Sequence, residues 1–278
     1  MIIARAISEL IKYRKRSPAE TWGFVPTMGA LHKGHLSLVR RAMKENDKTA
    51  VSIFVNPTQF NNPEDLKKYP RTMKSDLALL RKAGVDLVFA PEAGEVYPPG
   101  FQSYIDVTEV TKPLEGAARP GHFRGMATVV TKLFNIVEPT RAYFGQKDAQ
   151  QVIVVRQFVR DLNIPVEIIV CPTLREKDGL AMSSRNVRLN SKERRAARVL
   201  FRSLSDAEKA WKSGTRDADK LRKNLISVLN SEPLARVEYI SIADPVTLSE
   251  LNGKVKQALV SMAVFFGDVR LIDNVVLK

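Results

Sequence analysis

Three histidines are the first residues in this 278-residue chain whose type and setting suggest chemistry, and each stands close to glycine. His32 and His35 lie in Met28-Gly-Ala-Leu-His-Lys-Gly-His35, and His122 lies in Arg119-Pro-Gly-His-Phe-Arg-Gly125. The first segment joins an expected strand to an expected helix. Backbone N–H groups at a helix N-terminus are unpaired and point outward, and the helix dipole favours an anion there. Gly29 and Gly34 let the chain approach a phosphate without a Cβ in the way. Histidines three apart share one side of the opening turn. They could donate hydrogen bonds to a phosphoryl group as charge builds during an in-line displacement. A plain turn into a helix is the bland alternative, and a metal pair lacks an obvious third ligand. Neither the Walker pattern nor the Gly-x-Gly-x-x-Gly dinucleotide fingerprint is present, which argues against P-loop kinases and hydride transfer.

Two further segments add cationic and hydroxyl groups. Phe144-Gly-Gln-Lys-Asp148 is expected between a strand and a helix, with Lys147 at the carboxyl edge of a sheet, where open α/β sheets bind ligands. Asp178-Gly-Leu-Ala-Met-Ser-Ser-Arg-Asn186 puts Ser183 and Ser184 beside Arg185, a donor-rich turn suited to triphosphate oxygens. Uncharged amides form a third group. Asn56 and Gln59 follow an apolar strand, and Gln150 and Gln151 follow Lys147. Such amides can hydrogen-bond a hydroxyl and a carboxylate of a small acid. Read singly, the Ser/Arg turn and each amide are as compatible with a turn role, whereas a surface lysine at Lys147 with Asp148 as N-cap is the weaker reading.

The elements that must carry these residues alternate over the first 170 positions. Strands are expected at Trp22–Pro26, Ala50–Val55, Val85–Ala90, Ala142–Phe144 and Pro165–Val170. Helical spacing starts at His35, surrounds Leu77 and Leu80 up to Gly84, and returns at Ala127–Ile136 and Gln150–Leu162. The pattern predicts a mostly parallel sheet with helices on both faces. After Cys171-Pro172 the pattern changes. One long helix is expected over Ser191–Lys212, with Ser191 as N-cap, and another over Asp217–Leu229. Strands follow at Val237–Ala243, Ala258–Phe266 and Val269–Ile272, antiparallel candidates of a smaller α+β domain. The expected domains are residues 1–172 and 173–278.

Composition sets outer limits. With 44% hydrophobic and 27% charged residues the chain is of ordinary globular make-up, not disordered, collagenous or coiled-coil. No apolar run is long enough to cross a bilayer, no secretory leader is visible, and the one cysteine, Cys171, excludes an internal disulfide and a thiolate zinc site. A reducing cytoplasm is the expected compartment. The net charge of +14 suggests phosphate-bearing partners, yet it divides equally, +7 in residues 1–172 and +7 in 173–278. A nucleic-acid arm would concentrate it, and no aromatic-interleaved basic motif appears. Neither a nucleic-acid nor a membrane partner is expected.

His32-Lys-Gly-His35 is the His-x-Gly-His signature of the nucleotidylyltransferase superfamily, and the full set of motifs resembles the pantothenate synthetase family. The resemblance is carried in order by Pro26–His35, Phe54-Val-Asn-Pro-Thr-Gln-Phe60, Tyr69-Pro-Arg-Thr72, Gly116–Gly125, Phe144–Asp148 with Gln150-Gln151, and Asp178–Asn186. It implies ATP-dependent joining of pantoate and β-alanine through an enzyme-bound pantoyl-adenylate, with release of diphosphate and AMP. It also implies Mg²⁺, a Rossmann-like first domain, a smaller mobile second domain and a homodimer. Position by position, the family pattern assigns Met28, Gly29, Ala30, Leu31, His32, Lys33, Gly34 and His35 to ATP, with His35 as proton donor. His32 and Lys147 would assist catalysis. Gly145, Gln146, Lys147, Asp148, Leu174, Met182, Ser183, Ser184 and Arg185 would complete the nucleotide set. Gln59 would touch pantoate and β-alanine, Gln151 pantoate, and Asn56 would join the pantoate group. Family members commonly carry Glu at the position of Gln146 and often Leu at that of Met182; both departures are mild. Another nucleotidylyltransferase, or a truncated class I aminoacyl-tRNA synthetase, is the rival within enzymes.

Overall fold

The structure is a computed structural model that describes residues 1–16 and 18–278. Two compact units emerge, Met1–Gly145 with Gln150–Cys171, and Gln146–Ala149 with Pro172–Lys278.

In the first unit the order is β1 (Ile2–Ala4), α1 (Ile7–Arg14), β2 (Trp22–Thr27), α2 (Lys33–Glu45), β3 (Lys48–Ile53), α3 (Pro63–Lys68), α4 (Met73–Ala83), β4 (Leu87–Phe89), α5 (Ala93–Val96), α6 (Glu115–Ala118), α7 (His122–Val137), β5 (Arg141–Gly145), α8 (Ala149–Asp161) and β6 (Glu167–Cys171). The six strands form one sheet in the order β1-β4-β3-β2-β5-β6, and every neighbouring pair is parallel. Strands of this sheet are apolar on both sides because helices cover both faces. Val25, Val51, Val88 and Tyr143 pack with Val39 and Ala42 of α2 and Leu80 of α4. On the other side Phe134 of α7 meets Phe24, Phe144 and Phe158 of α8. The mostly parallel sheet expected from the alternation is therefore present. Gly84, in the left-handed region at φ 91°, ends α4, as its position after the apolar period predicts.

Strand order also locates a crevice. The chain leaves β2 toward β3 and β4, then returns to the other side of β2 through β5 and β6. The β2–β5 ladder stops at Phe24↔Ala142, whereas β2–β3 continues to Thr27↔Ile53. The strand order thus reverses between β2 and β5, and the carboxyl ends of β3, β2 and β5 lie side by side. Open α/β sheets hold ligands at such a switch point.

In the second unit come α9 (Ser191–Ala196), α10 (Arg198–Lys212), α11 (Ala218–Asn230), β7 (Ala235–Ala243), β8 (Ala258–Phe266) and β9 (Val269–Leu277). The three strands form an antiparallel sheet, β7-β8-β9. Leu200, Leu204, Trp211, Leu221, Leu225 and Leu229 of α10 and α11 bury against Val260, Met262, Val264 and Leu271. Asp217 caps α11 by accepting from the Lys220 N–H.

Several local expectations differ from the structure. The single helix over Ser191–Lys212 is two helices, because at Ala197 the ladder tightens: Ala197 N–H still reaches Glu193, whereas Leu200 N–H reaches Ala197. The N-cap is Asn190 rather than Ser191, since the Asn190 side chain accepts from the Lys192 and Glu193 N–H groups and Glu193 reaches back to the Asn190 N–H. Strand β3 begins and ends two residues before the expected Ala50–Val55. Strand β9 passes through Asp273-Asn274, where the sequence expectation stopped at Ile272, because both polar side chains find buried partners. Gln146–Ala149 belong with the second unit, although the sequence boundary assigned them to the first. Among the described residues no helix is long and apolar enough to cross a membrane.

Candidate active site

The motifs Pro26–His35, Phe54–Phe60 and Phe144–Asp148 sit where β2, β3 and β5 of the parallel sheet end. Thr27 closes β2, and its hydroxyl donates to Ser52 O of β3 at 2.7 Å while accepting from the Gly29 N–H at 3.2 Å. Gly29 and Ala30 then take positive φ, 84° and 51°, and Leu31 leads into α2. Asp76 of α4 holds this unusual turn. Its carboxylate accepts from the Ala30 and Leu31 N–H groups, each at 2.9 Å, and from the Thr72 hydroxyl at 3.0 Å. Asp76 is fully buried, so these bonds replace its hydration. The sequence reading missed Asp76; its position one turn after Thr72 of the Tyr69–Thr72 motif is the available signal.

His32 is the N-cap of α2 and His35 sits in its first turn. The His32 Nδ1 accepts from the Gly34 N–H at 3.1 Å, and the His35 Nδ1 accepts from the His32 N–H at 3.3 Å. This is a capping box built from two imidazoles, with ring centroids 4.0 Å apart. The bonding has a chemical consequence. A ring nitrogen that accepts from the backbone cannot carry the proton, so in both neutral rings the proton belongs on Nε2. Lys33 opens the helix, and no acidic side chain occupies its first turn to offset the positive end of the dipole.

The amide group lies after β3. Asn56 is 1% exposed and fully committed within the protein. Its NH₂ donates to Gln59 Oε1 at 3.0 Å and to Gly125 O at 3.1 Å; its Oδ1 accepts from the Tyr97 hydroxyl at 2.8 Å and the Thr58 hydroxyl at 2.9 Å. Burial raises the Tyr97 pKa, which keeps the phenol a donor. Asn56 therefore orients Gln59, whose own NH₂ contacts Met28 Sδ at 3.1 Å. Met28, Asn56 and Gln59 are thus brought together, and the nucleotide-loop candidates adjoin the amide candidates. Gly125 permits the packing, because a Cβ there would run into the Thr58 carbonyl.

His122 stands in a helix that the sequence pattern starts only at Ala127. It is buried at the first position of α7, with Nδ1 2.8 Å from Gln59 O and Nε2 3.2 Å from Arg119 Nη1. A guanidinium only donates, so Nε2 accepts and Nδ1 carries the proton to the Gln59 carbonyl. The third histidine supports Gln59 from its backbone side. Gln151 lies in the first turn of α8 and is partly exposed, whereas its neighbour Gln150 is buried and ties Val110, Pro113 and Glu115 together. Gly145 is the last residue of β5.

In the second unit Gln146–Asp148 form a single 3₁₀ turn, in which Lys147 Nζ is 3.4 Å from Asp148 Oδ1. Leu174 and Met182 pair through Met182 N–H to Leu174 O at 3.0 Å, closing a small hairpin with an Arg175–Ala181 bridge. Ser183 follows directly; its hydroxyl accepts from the Arg185 N–H at 3.2 Å, and Ser184 and Arg185 complete the turn. Asn186 fastens this turn to Glu176 and to Ala181 O. Arg194 bridges Glu176 and Asp178 at 3.0 and 2.7 Å. Its hydrogen bond holds the Asp178 carboxyl below the usual carboxylate range.

Comparison with known proteins gives one consistent answer. Residues 2–276 match the family model described as pantoate-beta-alanine ligase. The chain is 60% identical over 256 residues to the pantothenate synthetase of Roseiflexus castenholzii, covering 92% of each, and 58% identical over the full length of both chains to that of Roseiflexus sp.. A crystal structure of pantothenate synthetase from Thermus thermophilus superposes with a TM-score of 0.94 at 47% identity, covering 99% of each chain. The pantoate-beta-alanine ligase of Francisella tularensis, crystallised with beta-gamma ATP and beta-alanine, superposes with a TM-score of 0.82 at 40% identity over 99% of this chain and 97% of its own. From the ordered motifs to the full-length matches these findings agree, and the chain belongs to the pantoate-beta-alanine ligase family, ligases of pantothenate biosynthesis.

Proposed function

We propose that this protein condenses pantoate with β-alanine at the expense of ATP, by way of an enzyme-bound pantoyl-adenylate, releasing diphosphate and AMP. The observation that carries the reading is the two-imidazole capping box at the mouth of α2, placed at the switch point of the sheet. A carboxylate is a poor electrophile, so an amide requires its activation, and the adenylate supplies a good leaving group. Adenylation brings two anions together, the pantoate carboxylate and the α-phosphate. The Nε2–H groups of His32 and His35, with the helix dipole behind them, offset that repulsion as charge grows in the transition state. His35 is the proton donor in this scheme. Lys147 supplies a cation, and Ser183, Ser184 and Arg185 donate to the phosphates. Met28–His35, Gly145–Asp148, Leu174 and Met182 complete the ATP contacts. Gln59 and Gln151 hold pantoate, Gln59 also serves β-alanine, and Asn56 acts by orienting Gln59.

Among the described residues no group of three or more His, Cys, Asp or Glu side chains is arranged to hold a metal ion. Mg²⁺ accompanies the nucleotide in this proposal, since such an ion ordinarily takes substrate phosphates, waters and one or two carboxylates rather than a dedicated protein cage. A homodimer and a cytoplasmic location belong to the same proposal; the one cysteine, Cys171, is free and buried, as a reducing compartment allows.

The test is AMP release with pantoate, β-alanine and ATP, omitting each in turn, alongside ATP–diphosphate exchange. Exchange that requires pantoate and ignores amino acids supports the reading. Exchange driven by an amino acid, or AMP formation without pantoate, refutes it.

A further inference from the structure

Lys147 is carried by a three-residue 3₁₀ turn, and a single turn of this kind has little stiffness of its own. Its rigidity comes from β9. The Asn274 side chain donates one N–H to Gln146 O at 3.0 Å and the other to Lys147 O at 2.8 Å. Its Oδ1 accepts from the Gln146 NH₂ at 3.0 Å. Asn274 is 5% exposed, so water does not compete for these bonds. All of these groups belong to the second unit.

Asn274 is itself immobilised by its neighbour. Successive residues of a strand point to opposite faces. Asp273, 1% exposed, points the other way and takes a two-pronged ion pair from Arg175 at 2.6 and 3.1 Å, while its Oδ1 accepts the Asn274 N–H at 2.8 Å. Arg175 lies over the Phe201 ring and also donates to Gly179 O. The polar pair in the middle of a strand that is apolar apart from Arg270 thus has two distinct tasks, one on each face.

The geometry points to Asn274 as a positioning residue for adenylation: it fixes the backbone from which Lys147 reaches the nucleotide. This rests on the catalytic reading of Lys147. Aspartate at position 274 would keep the shape yet set a carboxylate against two carbonyls, losing both donors. Alanine would remove all three side-chain bonds.

A double-mutant cycle on the full-length enzyme tests it, using pantoate-dependent ATP–diphosphate exchange with Lys147→Ala, Asn274→Ala and the double variant. A misplaced catalytic group costs roughly 10- to 100-fold. The expectation is a fall of that size in kcat for Asn274→Ala, with a smaller change in the KM for ATP, and a double variant no worse than Lys147→Ala alone. If alanine prevents folding, Asn274→Asp takes its place in the cycle. Independent, multiplying losses, or unchanged kinetics at position 274, overturn the proposal while leaving Lys147 catalytic. Wild-type exchange in Lys147→Ala removes the catalytic reading itself, and the positioning role with it.

Discussion

His35 has two tasks, and one substitution removes both with separate readouts. As an acceptor it caps α2, and in the proposed reaction it serves the phosphoryl group as an Nε2–H donor. We expect His35→Ala to lower pantoate-dependent exchange by roughly 10²- to 10³-fold. Loss of the cap adds a stability cost of about 1 kcal/mol, readable by urea unfolding. A loop imidazole would carry no such cost, so an unchanged unfolding midpoint would contradict the capping geometry. Asp76→Ala strips the acceptors from the Ala30 and Leu31 N–H groups. We expect a loss of about 1–3 kcal/mol and a raised KM for ATP. Gln59→Ala is expected to impair the use of pantoate and β-alanine more than ATP binding; a defect confined to the KM for ATP would reassign that residue.

At the scale of elements, the close approach of α7 to the turn after β3 is decisive. Gly125 is the contact point, and a methyl group there meets the Thr58 carbonyl and the backbone of Gln59. Gly125→Ala must push α7 away from Asn56, whose NH₂ donates to Gly125 O. Such overpacking costs about 1–3 kcal/mol. We expect a lower melting temperature and a raised KM for pantoate, with the KM for ATP less affected. The sequence motif Gly116–Gly125 flagged this segment, but helical period did not: α7 begins at His122, five residues before the expected start. Glycines and a proline in front of it masked the periodicity.

Over the whole molecule, acid should loosen the hairpin that precedes Ser183. The folded pKa of Asp178 lies below its unfolded value, so its contribution to stability is complete above the unfolded pKa. That contribution disappears as pH falls through the folded pKa. Thermal melts from neutral pH downward should show a decline that Asp178→Asn makes shallower; identical profiles would show that the Arg194 pair contributes nothing. The charge of +14 needs no polynucleotide to explain it, since it is spread over both halves of the chain. The proposed homodimer predicts a mass twice 31.1 kDa by light scattering.

The amino-acid sequence by itself determined the parallel α/β sheet, the antiparallel second region, the His-x-Gly-His helix mouth and the order of the motifs. Each of these is written in local terms, as hydrophobic period, glycine placement and residue type. Tertiary structure alone decided what holds those motifs in place. Asp76 reaches the Ala30 turn after β2 across 46 positions, His122 reaches the Gln59 carbonyl across 63, and Asn274 reaches Lys147 across 127. Hydrogen bonds between groups so distant along the chain leave no periodic trace, because their partners meet only after the strands have chosen their neighbours and buried them away from water.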